Sequence, residues 1–600
     1  MCLLFSAEAD ASLTKFQKKQ KAESQIQGER VTGYRAKVKT TQEIMVAAAI
    51  KQNNGKLKEV VGRAPRKSLE EVLKKNGITK KNHPDSPQVA SLPNKSNLVG
   101  DDPFSPPGTD NTTTSTLGIG FTAATFSDAP VPNIYVHDVM GAMGPEQYIW
   151  TGNGGIRSFH VDRKHGTVEP DGILEAPLST FLNISAETSG EGNSIISDPV
   201  IRFDPFSERW YVMCVAFTGR FFSDFVDPIN NFLCLAVSDG PVITPSTKWR
   251  ILQIPHNQIP DSNGQSGDND TIMDFPSMGI DRHAVYIGVD IFGGPPIGVD
   301  ATAYVIQKES LLDESTPLVI TAFRHLLDTN AFTGPFAPTG IDNFDPDSEF
   351  GYFIGTDAFS FGLLQLIRVI NPGSDNPTIS QTIPIVVPAT SNGLHSSYRG
   401  NFAGFFASVD TGGDITHAGH VRNGKLFTNV CQAIGVDKDG VAHDSGLDDR
   451  DAVRWYELDL KGNDVVEGPN TVPTLVQVGT IWDPTDTSDP LNFCFGAMMT
   501  SANGDITVSC SEMSALVTPN AVTFRRKASD PLGTIGPKQF LTTSEELYNN
   551  GVFPQQFVRW GDYSYTSFDP EDPDAQWTVQ EFVPSYGNFG MHVRQLLPNN

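Results

Sequence analysis

Four times in this chain an aromatic residue is followed by Asp-Pro, a few polar residues and a return to aromatic and apolar ones. The copies begin at Phe203-Asp204-Pro205, Phe344-Asp345-Pro346, Trp482-Asp483-Pro484 and Phe568-Asp569-Pro570. Asp at the first position of a turn accepts a hydrogen bond from the backbone two residues on, and Pro presets φ at the next position. Each copy is therefore expected to be the tight turn of a β-hairpin. Their starts lie 141, 138 and 86 residues apart. The first two spacings fit two modules of about 70 residues and the third a single long module, the mark of a repeat architecture.

The rest of the chain from residue 116 has a matching texture. Short runs such as "RWYVMCVAF", "AVYIGVDIF", "GYFIGTDAF", "LLQLIRVI", "FCFGAMM" and "WTVQEF" recur between Gly, Pro, Asn and Asp. With 54 Gly and 42 Pro in 600 residues, short strands and turns are favoured over long helices. Several runs are apolar at consecutive positions, which means burial on both faces. Antiparallel strands reach that state when sheets stack on one another, as propeller blades do. The strands group near residues 131–168, 194–254, 274–324, 340–386, 398–460, 491–530 and 556–597. The fold class is thus all-β, a single large β-propeller of about seven blades, with six or eight also compatible because insertions blur the period. The run at 115–126, "STLGIGFTAATF", would close the ring by joining the last blade. A pair of β-sandwiches is the competing arrangement.

Residues 1–81 differ. Residues 1–100 hold 19 Lys and Arg against 9 Asp and Glu, and residues 101–600 hold 25 against 61, so a basic arm of net +10 precedes a body of net −36. Such a body repels phosphate and argues against nucleic acid as the main partner. The arm suits an acidic surface, its own propeller included. Its sequence reads as helical or disordered. Thr40 with Glu43, and Ser68 with Glu71, have capping-box spacing, and Gly77 is a C-terminal stop. With only Phe5, Phe16 and Tyr34 as aromatics before residue 81, the arm can hardly build a core, and it reads as a fluctuating tail or a docking segment. Residues 82–115, rich in Pro, Ser, Asn and Asp, form a linker. No apolar run reaches the ~18 residues of a membrane span. The start, "MCLLFSAEADAS", meets Glu8 and Asp10 after a short apolar patch, so no secretory signal is read.

A series of motifs goes further: "SDPVIRFDPFSERWYVMCVAF", "DFPSMGIDRHAVYIGVDIF", "AVRWYELDLKGN", "SANGDITVSCSEMS" and "RWGDYSYTSFDPEDPDAQWTVQEF". In this order, over roughly residues 130–598, the chain resembles a mostly uncharacterised family of bacterial secreted β-propeller proteins, loosely related to sialidase-like propellers. The resemblance implies a propeller and a secreted location, and little chemistry. The chain departs from that family in its basic arm and in the missing signal.

A sialidase needs an arginine triad for the substrate carboxylate, a task for the bidentate guanidinium. Arg202, Arg399 and Arg559 are the candidates, with Asp562 and Tyr563 beside the last. The Arg-Ile-Pro signature and the Asp-box pattern are absent, so structural roles are favoured for this set, as for Arg209 before a strand Trp. His417 and His420, three apart in a strand, point to opposite faces and are not expected to share a metal. No H-E-x-x-H, P-loop or G-x-S-x-G occurs. Asp261, Asp268 and Asp270 in one loop, and Asp483, Asp486 and Asp489 in another, collect oxygen ligands suited to calcium, without EF-hand spacing. Cys214 and Cys234 flank one hairpin loop and are expected to face each other as buried thiols. The sequons at Asn94, Asn111, Asn183 and Asn269 are near chance for this composition.

Function has to be argued from sites, not from fold. The expectation is a non-enzymatic scaffold, a binding or assembly protein that engages a protein partner, itself or a glycan through loops and arm. Arm-to-body contacts between molecules would make self-association salt-sensitive. A sialidase-like glycan-active hydrolase and a calcium-dependent adhesin are the alternatives.

Overall fold

The computed structural model describes residues 25–53, 69–87, 114–128, 138–184, 193–222, 225–256, 271–293, 297–394, 396–398, 407–443, 449–548 and 560–599. Runs that are apolar without alternation are strands covered on both faces. Phe350–Asp357, Leu363–Ile370 and Ile506–Met513 are buried at every position. They lie in stacked antiparallel sheets arranged as a seven-bladed β-propeller.

Each blade runs outward from an inner strand at the axis. Those inner strands are Met140–Met143, Asn193–Asp204, Ile272–Ile280, Pro335–Gly340, Thr416–Arg422, Asn492–Thr500 and Tyr565–Phe568, for blades 1 to 7. Neighbouring inner strands touch in cyclic order, blade 7 meeting blade 1. Blade 7 takes its outermost strand, Thr116–Thr125, from the start of the propeller, paired antiparallel with Gly590–Leu597. The ring is closed by hydrogen bonds between its two ends, as the run at 115–126 suggested. Blade 5 ends at Ile481, beyond the expected 460, because its outermost strand is Thr474–Ile481.

Inner strands share a device that the sequence hides. Asp138, Asp198, Phe275, Ala337 and Phe495 have positive φ between 45° and 58°. In blades 2 to 6 the ladder register breaks at this position, with His417 holding it in blade 5. Such a bulge re-aims side chains at the axis. Six residues on, in every blade, comes the residue that starts the next turn: Gly144, Asp204, Asp281, Asn343, Asn423, Ser501 and Asp569. Most of these cap the turn through the side chain, as when Ser207 N donates to Asp204 at 2.9 Å and Ala284 N to Asp281 at 2.7 Å.

Three of the four aromatic-Asp-Pro copies join a blade's inner strand to its second strand. The fourth, Trp482-Asp483-Pro484, is not a hairpin. It links the outermost strand of blade 5 to the inner strand of blade 6. The three hairpin aspartates also bind the next blade round the ring. Asp204 pairs with Lys308 of blade 3, and Asp345 accepts Asn423 N and Gly424 N of blade 5 at 2.7 Å each. Asp569 takes Nε and a terminal nitrogen of Arg163 of blade 1 at 3.1 and 2.8 Å. The motif thus couples turn formation to blade stacking.

The N-terminal segment is a strap on this body. Thr40 and Glu43 form the expected capping box, Thr40 N donating to Glu43 at 2.7 Å and Glu43 N to Thr40 Oγ1 at 3.2 Å, and open helix Thr41–Asn53. Helix Leu69–Lys75 ends at Gly77, φ 71°, while Ser68 lies outside the described residues. The helical reading does not extend to residues 25–40. Gln25–Gln27, Glu29–Arg30 and Arg35–Thr40 are fifth strands, antiparallel to the outermost strands of blades 4, 3 and 2. Those edges offer unpaired backbone groups, and the segment satisfies them. Val31, Ile44, Val72 and Leu73 enter the propeller's own core, which supplies what the strap cannot build. Lys80 makes a 2.8 Å ion pair with Asp414 beside blade 5. No described helix is long and apolar enough to cross a membrane.

Candidate functional site on the propeller axis

Inner strands bring residues far apart in sequence to one axis. Towards the inner-strand C-terminal ends, Asp342 follows blade 4's inner strand. Its Oδ2 accepts Arg202 Nε of blade 2 at 2.9 Å and the Tyr565 hydroxyl of blade 7 at 3.2 Å, and its Oδ1 accepts Ile280 N of blade 3 at 3.0 Å. The Arg202 guanidinium also donates to Ile201 O at 2.8 Å and lies 3.8 Å from the Tyr565 ring centroid. All three side chains are buried. Burial raises the Asp342 carboxyl above its ordinary value, against the pull of Arg202. The recess these residues leave, bordered by Phe203, Phe344 and Phe568, has a free volume of about 10 Å³, room for one water. This end of the axis is plugged by a four-blade polar knot.

Near the N-terminal ends of the inner strands a second cluster forms from the bulge residues. Asp138 accepts Asn153 Nδ2 at 2.6 Å and Asp562 N at 2.8 Å, and Asn153 Oδ1 accepts Asp198 N at 2.9 Å. Tyr563 stacks on His417 with centroids 3.7 Å apart, and Phe275 meets both edge-on at 5.5 and 6.0 Å. His417 Nε2 donates to Pro276 O at 3.0 Å. Burial, then Arg202, lowers the His417 imidazole to about 3, so it is neutral. Tyr563 is pushed well up by burial and by Asp198 and Asp138. Glu581 Oε1 has no partner among the described residues, and burial with Asp562 nearby lifts this carboxyl to about 8. A Cβ at Gly561 would overlap that carboxyl, so glycine is what admits it.

The candidate residues distribute as follows. Arg202 sits in the knot, and Asp562 and Tyr563 sit in the second cluster. Arg399, Arg559, Asp261, Asp268 and Asp270 lie outside the described residues. The Asp483 carboxylate takes Thr485 N at 2.9 Å and Leu491 N at 2.8 Å and caps its own loop, whereas Asp489 takes Ala515 N at 2.9 Å and caps the 514–517 turn of blade 6. Asp486 is exposed in the same loop. Among the described residues no three His, Cys, Asp or Glu side chains are grouped to hold a metal. His420 accepts Thr500 N at 3.1 Å and stacks on Phe427, and among the described residues it shares no partner with His417. Cys214 and Cys234 are opposite one another across strands, as buried thiols not joined by a disulfide.

Asp342, Tyr565, Glu581 and Asp138 are site residues that sequence reasoning did not single out. A findable signal existed for the strand that leads to Asp342 alone, Ala337-Pro338 with Asn343 five after the Pro, the pattern also seen in Asp198-Pro199 to Asp204 and Phe275-Pro276 to Asp281.

No protein-family profile matches the chain, and no curated protein does. Similar solved structures include a mutant Trypanosoma rangeli sialidase with trans-sialidase activity, at 11% identity over 66% of this chain and 53% of that one, TM-score 0.29. The parainfluenza virus 5 hemagglutinin-neuraminidase ectodomain is 8% identical over 68% and 82%, TM-score 0.29. A GH43_12 protein retrieved from a capybara gut metagenome is 14% identical over 53% and 50%, TM-score 0.25. The chain spans about half the length of the sialidase chains it matches. Sialidase-like propellers are thus among its structural neighbours, at a similarity that carries no argument about activity. The expected bacterial secreted family has no sequence match.

Proposed function

We propose that this protein is a non-enzymatic propeller scaffold that binds a protein partner through its surface. The observation that carries the reading is the plugged end of the axis. Arg202, the described member of the candidate triad, is spent on Asp342, Ile201 O and Tyr565, and the space beside it fits one water rather than a sugar. A substrate carboxylate would have to displace a buried carboxylate already paired with that guanidinium, at a desolvation cost the surface loops do not face. Self-association through the strap would need the edges of blades 2, 3 and 4 in trans, in competition with the pairings within one chain.

One observation favours a hydrolase instead. Glu581 is a buried carboxyl with an unpartnered oxygen, lifted to about 8, close to Asp562 and the Tyr563 cluster. Perturbed carboxyls of this kind are enriched at catalytic sites.

Paired capture separates scaffold loops from strap. The baits are the full chain and residues 116–600, with bound proteins read by mass spectrometry and each interaction rebuilt from purified components. A reconstituted, saturable partner of the full chain supports the scaffold reading. Turnover of a fluorogenic sialoside or glycoside that is lost in Glu581→Gln would replace it with the hydrolase.

A further inference from the structure

Blade 2 carries five strands, and the fifth, Arg35–Thr40, is a free edge: among the described residues nothing pairs with its outer side. Arg35, Ala36, Lys37 and Val38 are exposed, Val38 at 43%, so this part of the strand has both faces in solvent, while Lys39 and Thr40 are half-buried. Its sequence, RAKVKT, alternates. Arg35, Lys37 and Lys39 share one face, and Ala36, Val38 and Thr40 the other.

The charges around it are mostly basic, with Glu43 acting on Lys39 and with Glu314 and Asp313 acting on Arg250 as the acidic exceptions. Lys248 lies opposite Thr40 and is exposed, and Lys51 at the end of the following helix is close enough to Lys39 to act on it. Burial, then Lys37 and Lys51, lowers the Lys39 ammonium below its ordinary value. Glu43 is engaged in the capping box. Arg250, opposite Val38, donates to Ser310 O and Leu311 O at 3.0 and 2.7 Å. This basic edge sits on a body of net −36.

We propose that this edge is the docking strand for an extended acidic segment of a partner protein, which would join blade 2 as a further strand. The inference rests on the scaffold reading. Backbone pairing would supply affinity, and acids opposite Arg35, Lys37 and Lys39 would supply register and selectivity. A second copy of the same edge is disfavoured, because antiparallel pairing would set the three cations against one another.

The test uses the full chain and a fluorescein-labelled peptide of alternating Glu and Val. Fluorescence anisotropy should show saturable binding that weakens about tenfold between roughly 50 and 300 mM salt. The double variant Arg35→Glu/Lys37→Glu should weaken binding about tenfold at unchanged melting temperature, since both side chains are exposed. N-methylation of alternate peptide amides should abolish binding to the unaltered protein, because it removes the donors that an added strand needs. The proposal is overturned by equal binding of the N-methylated peptide, by equal binding of a single-stranded oligonucleotide, or by no saturable binding at low salt. The first two outcomes would mark a general polyanion surface. Catalytic turnover with intact peptide binding would instead remove only the scaffold reading.

Discussion

Asp342 holds a charge where burial penalises it, and Arg202 is its counter-charge. Arg202→Ala should therefore cost about 3–5 kcal/mol, more than the lost packing, because it strands a buried carboxylate. Arg202→Met with Asp342→Asn should recover part of that loss, which a melting curve reads directly. Glu581 gives a pH signature. Its carboxyl titrates near 8 in the fold and at the ordinary 4.5 in the unfolded chain. The folded state holds the proton more tightly, so this stability is full below 4.5 and lost as pH rises to about 8. The histidines have the opposite sign. His417 and His420, held near 3 by burial, must charge on unfolding, so their stability is present above 6.5 and lost as pH falls. Glu581→Gln should flatten the alkaline limb and leave the acid limb in place. His417→Gln should do the reverse. Differential scanning calorimetry across pH checks both, and an unchanged alkaline limb in Glu581→Gln would count against a neutral buried carboxyl.

Elements were legible where burial was two-sided, since runs such as Leu363–Ile370 leave no alternation for a helix or an exposed strand to explain. The turn chemistry was legible in Asp204, Asp345 and Asp569 and misread at Asp483, because Asp-Pro caps a blade-to-blade connection as readily as a hairpin. The strap strands were missed for a physical reason. Arg35–Thr40 has almost no buried side chain, and its strand state comes from the edge of Lys248–Pro255 rather than from its own pattern. Asp569→Ala removes an Arg163 pair, the Glu571 N cap and the Trp577 Nε1 acceptor at 2.9 Å together, and should destabilise by about 2–4 kcal/mol in thermal melts. Lys80→Ala leaves Asp414 buried at the foot of the strap. Exchange of the amides of Lys81 and Asn82 should then accelerate by about tenfold or more, with amides of the inner strands unaffected.

On the scale of the whole molecule, the ring was readable because its closure is a local property of one run, Thr116–Thr125. The axis was not, because Arg202, Asp342 and Tyr565 are separated by 140 and 223 residues and meet only once the blades close. Deleting residues 114–125 should expose the Gly590–Leu597 edge, broaden the melting transition and promote aggregation, as expected for an opened ring with a bare hydrophobic edge. The proposal that the plugged end of the axis marks a binding protein rather than a hydrolase has a direct test. Turnover of a fluorogenic sialoside should be measured for the unaltered protein, Arg202→Ala and Glu581→Gln at equal folded concentration. The account predicts no turnover above the buffer blank in any of the three. Turnover by the unaltered protein that disappears in both variants would contradict it and turn the axial clusters into an active site.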